Sequence, residues 1–522
     1  MKDPISGVLV KMAGKVTANE STGQLTTMFE NIPELPFEDA TVNFFDGPRA
    51  ALSTPSNCGS FKTEGVLSPS SGEEASMVFS SFEVLTGVGG GACGEPFAPG
   101  FQAGMSNIQA GGFAPVVTNI TRRDGDQALG KVSETLPAGV GADLTGVPLC
   151  GEAEANGGTC SAASKVGEVT VQAGLGDEPV TVEGGQAYLT GPYQGAPFGL
   201  SIVTVAKAGP FNLGTVVVRA KVSIDPNTAQ VTVTTNALPT MLQGIPLQIK
   251  AIHVVANRPG FTYNPTGCLS KTVTGTVTSA QNVAVPVSSA FQAANCATLG
   301  FKPRLSALTS SKYSKKLGAS LRVRVAFPKA PFGSQANIAR VKVDLPVQLP
   351  SRQSTYKFAC PAATFAANPA GCPKNSIVGT ALARTPIVPV VLKAKAYFVS
   401  HAGESVPNVV MVFQGYGITV NLAGTTHITK GVTSNTFAAV PDAPVSSFEV
   451  SFPEGPYSLL AGYKNFCTTK LSMPVSYISQ AGQEQHETVK VAVTGCTKHK
   501  PKPKAKKARK AGRATTTGKA GR

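Results

Sequence analysis

Ten cysteines and five histidines are the side chains through which this chain could run metal, redox or nucleophilic chemistry. In "CPAATFAANPAGCPKNSIVG", Cys360 and Cys372 stand twelve positions apart around a small polar loop. Two thiols so placed could clip a metal, cycle as a redox couple or cross-link the loop. A zinc clip needs a second cysteine pair or histidines at ligand spacing, and neither is present. A redox couple needs the C-x-x-C step, which the sequence lacks. The remaining reading is a covalent staple, stabilising by about 2–4 kcal/mol through restriction of the unfolded chain.

The other reactive types are scattered. His253, His401, His427, His486 and His499 never fall at H-x-x-x-H spacing. His401 opens "SHAGES" beside Ser400 and Glu404, but no G-x-S-x-G elbow exists to present a nucleophile. Asp124 and Asp126 in "RRDGDQALG" have calcium-loop spacing, without the third oxygen residue or the closing Glu, so they read as a hairpin turn. Glu152 and Glu154 lie between Cys150 and Cys160, where the later loop carries Ala362 and Thr364; that is no repeated acid pair for glycoside hydrolysis. The glycines of "GVGGGACG" are not followed by G-K-[ST], as a phosphate loop requires. Trp is absent, leaving Tyr193 and Tyr263 as sugar-stacking candidates whose ordinary use is core or turn packing. Neither catalysis, a cofactor nor a metal is expected.

The elements that carry these residues repeat. Cys58 to Cys268 is 210 positions, Cys150 to Cys360 is 210, and Cys268 to Cys467 is 199. Such a period marks a duplicated unit. The flanks agree: Thr22–Cys58 aligns with Thr228–Cys268, sharing a Leu-Pro step, a period-2 strand and a Pro-x-x-Cys ending, and Thr433–Cys467 is a weaker third copy. "CSAASKVG" matches "CPKNSIVG", and Tyr188 in "QAYLTG" matches Tyr397 in "KAYFVS". Copies should repeat their bonds, and only nearest-neighbour pairing maps each onto the next: Cys58–Cys93, Cys150–Cys160, Cys268–Cys296, Cys360–Cys372 and Cys467–Cys496. An even, fully paired set places the chain in an oxidising compartment.

Strand signals recur every 8–12 residues, as in "GLSIVTVAK", "AQVTVTTN", "ASLRVRVAF" and "ARVKVDLP", with turn residues between. The expected class is all-β: tandem antiparallel sandwiches of Ig-like type, disulfide-stapled, with short helical turns in the narrow-pair loops. Alternation in "RVRVAF" sends Arg and Lys to the solvent face. The expected segments are a partial sandwich at 1–98, a small β domain at 99–180, a sandwich at 181–300, a second small domain at 301–388, a sandwich at 389–498 and a disordered tail at 499–522. The chain opens inside a repeat and has no secretory h-region, so an N-terminally truncated product is expected. No run is long and apolar enough for a transmembrane helix.

Charge is unevenly spread along the +16 total. Residues 1–225 hold 23 acids and 12 bases, 226–497 hold 7 acids and 23 bases, and the last 25 hold 11 bases and no acids. That tail includes Lys498, Lys500, Lys502, Lys504, Lys506, Lys507, Arg509, Lys510 and Arg513. Alternating Lys-Pro and Lys-Ala resists folding and would attract polyanions in a salt-dependent way. The expected partners are an anionic cell-wall polymer, an acidic polysaccharide or extracellular DNA. Base-specific reading is not expected, because no aromatics interleave with the lysines.

"AYLTGPYQGAPFGLSIVTVAKAGPFNLGTVVVRAKVSIDPNTAQVTV", "LPTMLQGIPLQI" and "RPGFTYNPTGC" resemble the large, secreted, repeat-containing actinobacterial proteins that carry no assigned function. The resemblance implies export and a cell-surface or extracellular location, and brings no catalytic residues. The function expected is structural or adhesive and non-enzymatic, with a polysaccharide-binding module of the cell envelope as the alternative.

Overall fold

The structure is a computed structural model and describes residues 7–47, 50–55, 57–93, 96–496 and the glycines at 518 and 521. Alternating apolar residues make nearly every regular element a strand. Leu321 and Val323 are buried while Arg322 and Arg324 point to solvent, as the period of two demands. The described part is all-β, built of barrel-like sandwiches.

Eleven strands between Gly100 and Phe291 make one sheet. Their spatial order is Ala284–Phe291, Lys271–Ser279, Leu129–Thr135, Val231–Thr235, Phe211–Ile224, Phe198–Ala208, Val180–Thr190, Lys165–Ala173, Ile249–Ala256, Val116–Thr121 and Gly100–Met105. Eleven strands of the following segment repeat that order: Glu484–Thr494, Ser472–Ser479, Ile338–Asp344, Val432–Phe437, Ile418–Thr429, Asn408–Gly415, Leu392–Ser400, Ile377–Arg384, Ser447–Phe452, Leu321–Ala326 and Arg304–Ser310. The second sheet closes into a ring, because Arg304–Ser310 pairs in parallel with Glu484–Thr494. In the first, Gly100–Met105 and Ala284–Phe291 lie in contact without a ladder. Joining first and last strands removes the exposed edges on which sheets aggregate.

Details of the turns confirm the duplication. The Val283 amide donates to Ser279 Oγ at 3.0 Å, and the Gln483 amide donates to Ser479 Oγ at 2.9 Å. Strands of residues 99–180 and 181–300 share the first ring, and those of 301–388 and 389–498 share the second. The segment before residue 98 forms two hairpins, Gly14–Ala18 with Leu25–Phe29 and Gly59–Leu67 with Ser76–Val84. Its Phe29, Phe44, Phe79 and Phe82 are exposed.

The rings touch through backbone as well as side chains. Gly111 (φ +68°) and Gly333 (φ +71°) meet so closely that a Cβ on Gly333 would fall on the Gly111 carbonyl. Both the left-handed φ and the missing Cβ require glycine there. Phe332 of the second unit stacks on Phe113 at 4.4 Å between ring centres and meets Tyr263 edge-on at 5.4 Å.

Candidate functional site

All five disulfides join sequence neighbours: Cys58–Cys93, Cys150–Cys160, Cys268–Cys296, Cys360–Cys372 and Cys467–Cys496. Helix α1 (Glu152–Gly157) fills the Cys150–Cys160 loop and helix α2 (Ala362–Ala367) the Cys360–Cys372 loop. Each narrow loop packs its disulfide over the sheet tyrosine of its own copy, Tyr188 or Tyr397. The tail residues Lys498, Lys500, Lys502, Lys504, Lys506, Lys507, Arg509, Lys510 and Arg513 lie outside the described residues.

The structure disperses the reactive residues. His401 Nδ1 lies 3.1 Å from Glu404 Oε2, while the Ser400 hydroxyl donates to the Cys360 carbonyl instead of to the histidine. His253 pairs across strands with Asn119 on an exposed face. Asp124 accepts from Lys250 Nζ at 2.9 Å and from the Gly176 amide at 3.0 Å, and Asp126 accepts from the Ala98 amide, so the two carboxylates serve different elements. Glu154 accepts from the Gly151 amide and caps α1, and Glu152 pairs with the buried Arg219 at 3.2 Å. Hydrogen bonding from that guanidinium lowers the Glu152 pKa. Among the described residues, no three His, Cys, Asp or Glu side chains gather to hold a metal, and no helix is long and apolar enough to cross a membrane.

Two further carboxylates stand apart, the buried Asp442 and the half-buried Glu134, and sequence reading singled out neither. Asp442 accepts from the Thr266 amide (2.8 Å), the Thr266 hydroxyl (2.6 Å), the Gly267 amide (3.3 Å) and Asn337 Nδ2 (2.8 Å). It therefore ties the two units together with its charge fully solvated by donors. Burial raises the neighbouring Tyr263 phenol well above its ordinary pKa, and the Asp442 and Asp143 charges raise it further. Tyr263 is 5% exposed and offers no face to a sugar. Tyr193 is half-exposed, but its ring carries the Arg219 guanidinium at 4.2 Å.

Glu134 sits on strand Leu129–Thr135 and faces inward. Its only described partner is the Thr118 hydroxyl, 3.0 Å from each carboxylate oxygen, reaching across the ring from strand Val116–Thr121. Burial pushes its pKa up to about 7, and the Thr118 hydrogen bond offsets this only in part. Glu134 and Thr118 line an apolar cavity of about 590 Å³ that continues through both units. Inward residues such as Val171, Ile202, Val218 and Ile252 line it and keep accessible surface although they point into the ring. The signal was in the repeat: "ETLP" at 134–137 aligns with "VDLP" at 343–346, so a charge stands where the second copy has Val343.

No family model and no curated protein matches the chain. Solved structures match at low similarity, and the matches include bacterial cell-surface adhesin domains. The C-terminal domain of the Streptococcus agalactiae AgI/II polypeptide BspA is 9% identical with a TM-score of 0.19, covering 76% of this chain and 100% of that one. The Enterococcus faecalis MSCRAMM ACE is 7% identical with a TM-score of 0.18, covering 76% and 95%. The C-terminal domain of the Streptococcus pyogenes antigen I/II-family protein AspA is 8% identical with a TM-score of 0.17, covering 76% and 99%. Likeness of this size carries no functional argument, so function is argued from the chain's own residues.

Proposed function

We propose that the protein is a non-enzymatic, extracellular structural or adhesive module, related in kind to the secreted actinobacterial repeat proteins its motifs resemble. The observation that carries this reading is the duplicated, disulfide-stapled ring with a buried joint at Asp442. A chain with five disulfides and no free cysteine suits an oxidising environment. Stapled loops, and in the second unit a closed sheet, resist local opening, which is where proteases attack.

Attachment follows the charge gradient. The basic half displays Arg304, Arg322, Arg324, Lys393 and Lys395 on exposed positions, and the 498–522 tail adds eleven bases. These face an anionic wall polymer, and the acidic N-terminal part turns outward. The test is co-sedimentation of the purified full chain with isolated Gram-positive cell walls, with and without residues 498–522, from 0.05 to about 1 M salt, a range over which the screening length falls several-fold. Binding should weaken on tail removal and vanish at high salt. Binding that survives both changes sinks the electrostatic part of the proposal.

A further inference from the structure

The second copy shows what the first needs for folding alone. Strand Val116–Thr121 places Thr118 opposite Val254, which in turn faces Val169. The matching row of the second ring is Val323, Val450 and Ala381. Glu134 faces Gly275, and its counterpart Val343 faces Val475. The cross-ring pair Thr118–Glu134 thus corresponds to Val323–Val343. Two valines fill these places in the second ring, so the fold itself does not call for a buried acid.

The acid is also incompletely served. One hydroxyl carries one proton, so Thr118 donates to only one carboxylate oxygen at a time. The remaining capacity opens onto an apolar wall. An unpaired carboxylate there is costly, whereas a cation brought against it by an apolar body would remove that cost. Over its whole course through both units the cavity holds about 590 Å³, a size within the range of small-molecule sites. Val182, Ala206, Val216 and Leu242 continue the apolar lining of the cavity.

We infer that the first ring is a binding site for an elongated apolar molecule bearing one terminal amine, its chain in the cavity and its ammonium group on Glu134. This stands independently of wall attachment, which uses the outer surface.

The experiment is calorimetric titration of the full chain at pH 8 with dodecylamine below its micellisation concentration, and with dodecanol as the uncharged analogue. Dodecylamine should bind at one site, and dodecanol at least tenfold more weakly. Glu134→Gln should weaken dodecylamine at least tenfold and leave dodecanol unchanged. Glu134→Val, which copies the second ring, should do the same, and circular dichroism with non-reducing gel mobility checks that both variants fold. The inference is overturned if dodecylamine does not bind, if both variants bind it as tightly as the parent, or if dodecanol equals it.

Discussion

Replacing Glu134 with valine should change how stability depends on pH more than it changes stability itself. In the folded ring this carboxyl holds its proton up to about pH 7, against an ordinary value of 4.5. At about 1.4 kcal/mol per pH unit, the difference makes about 3 kcal/mol. The sign follows from proton binding. Between pH 4.5 and 7 the folded state keeps a proton that the unfolded chain has released, so stability falls as pH rises. The contribution is fully present below 4.5 and has been lost once the pH passes about 7. Glu134→Val removes the titrating group, and leaves Thr118 without its carboxylate partner at every pH, which is a constant offset. Parent and variant should therefore diverge by about 3 kcal/mol between pH 4.5 and 8, with the parent losing ground. At about 2–4 °C per kcal/mol for a unit of this size, that is on the order of 10 °C in Tm. Scanning calorimetry across the pH series reads the difference, and hydrogen exchange in strand Leu129–Thr135 locates it. Parallel curves for the two proteins would refute the reasoning, since they would mean that the carboxyl is solvated in the folded state.

Two further outcomes test the covalent and polar framework. Replacing Cys360 and Cys372 together by serine should cost about 2–4 kcal/mol and leave the eleven strands of the second ring folded, because the bond closes a loop that joins the sheet only through the two-residue strand Cys360–Pro361 beside Val399 and Ser400; calorimetry with and without reductant checks this. Asp442→Ala leaves the Thr266 and Gly267 amides and Asn337 Nδ2 without their acceptor at the joint, a loss of about 1–3 kcal/mol for each donor left unpaired. The two rings should then melt in separate steps and become cleavable near Gly267. A single unchanged transition would show that the joint is held elsewhere.

Local pattern was readable where a period of two meets a buried face. "LRVRVA" places its arginines outside and its aliphatic residues inside, and helix α2 falls where "CPAATFAAN" hinted at it, whereas "CSAAS" forms a 3-10 turn at Ala162–Ser164 just after the Cys150–Cys160 loop and α1 arises earlier, at Glu152–Gly157. Ring closure was not readable. It depends on which strands meet across nearly two hundred residues, such as Ala307 beside Val491, and no local residue pattern encodes that choice. Asp442 was missed for the same reason: its donors come from Thr266 and Gly267, far away in sequence. Glu134 escaped notice because acids in strands ordinarily face water, and "KVSET" alone does not reveal which phase points inward.

Two copies of one fold within a chain act as an internal control on such residues. Positions that agree between the rings, such as the Ser279 and Ser479 turns or Gly167 and Gly379 on their strands, report what the architecture needs. Gly167 and Gly379 make the point sharply, since a Cβ on either would come within about 2.5 Å of a neighbouring strand's carbonyl oxygen. Where the copies differ at an inward position, the architecture has already shown that it tolerates the simpler residue. Asp442 differs from its aligned Thr240, but it spans the joint between rings, so its difference is explained by position in the tandem. Glu134 has no such neighbour to serve. It remains an acid facing apolar space in one ring, opposite a valine solution already realised in the other, and that asymmetry is why a ligand rather than the fold accounts for it.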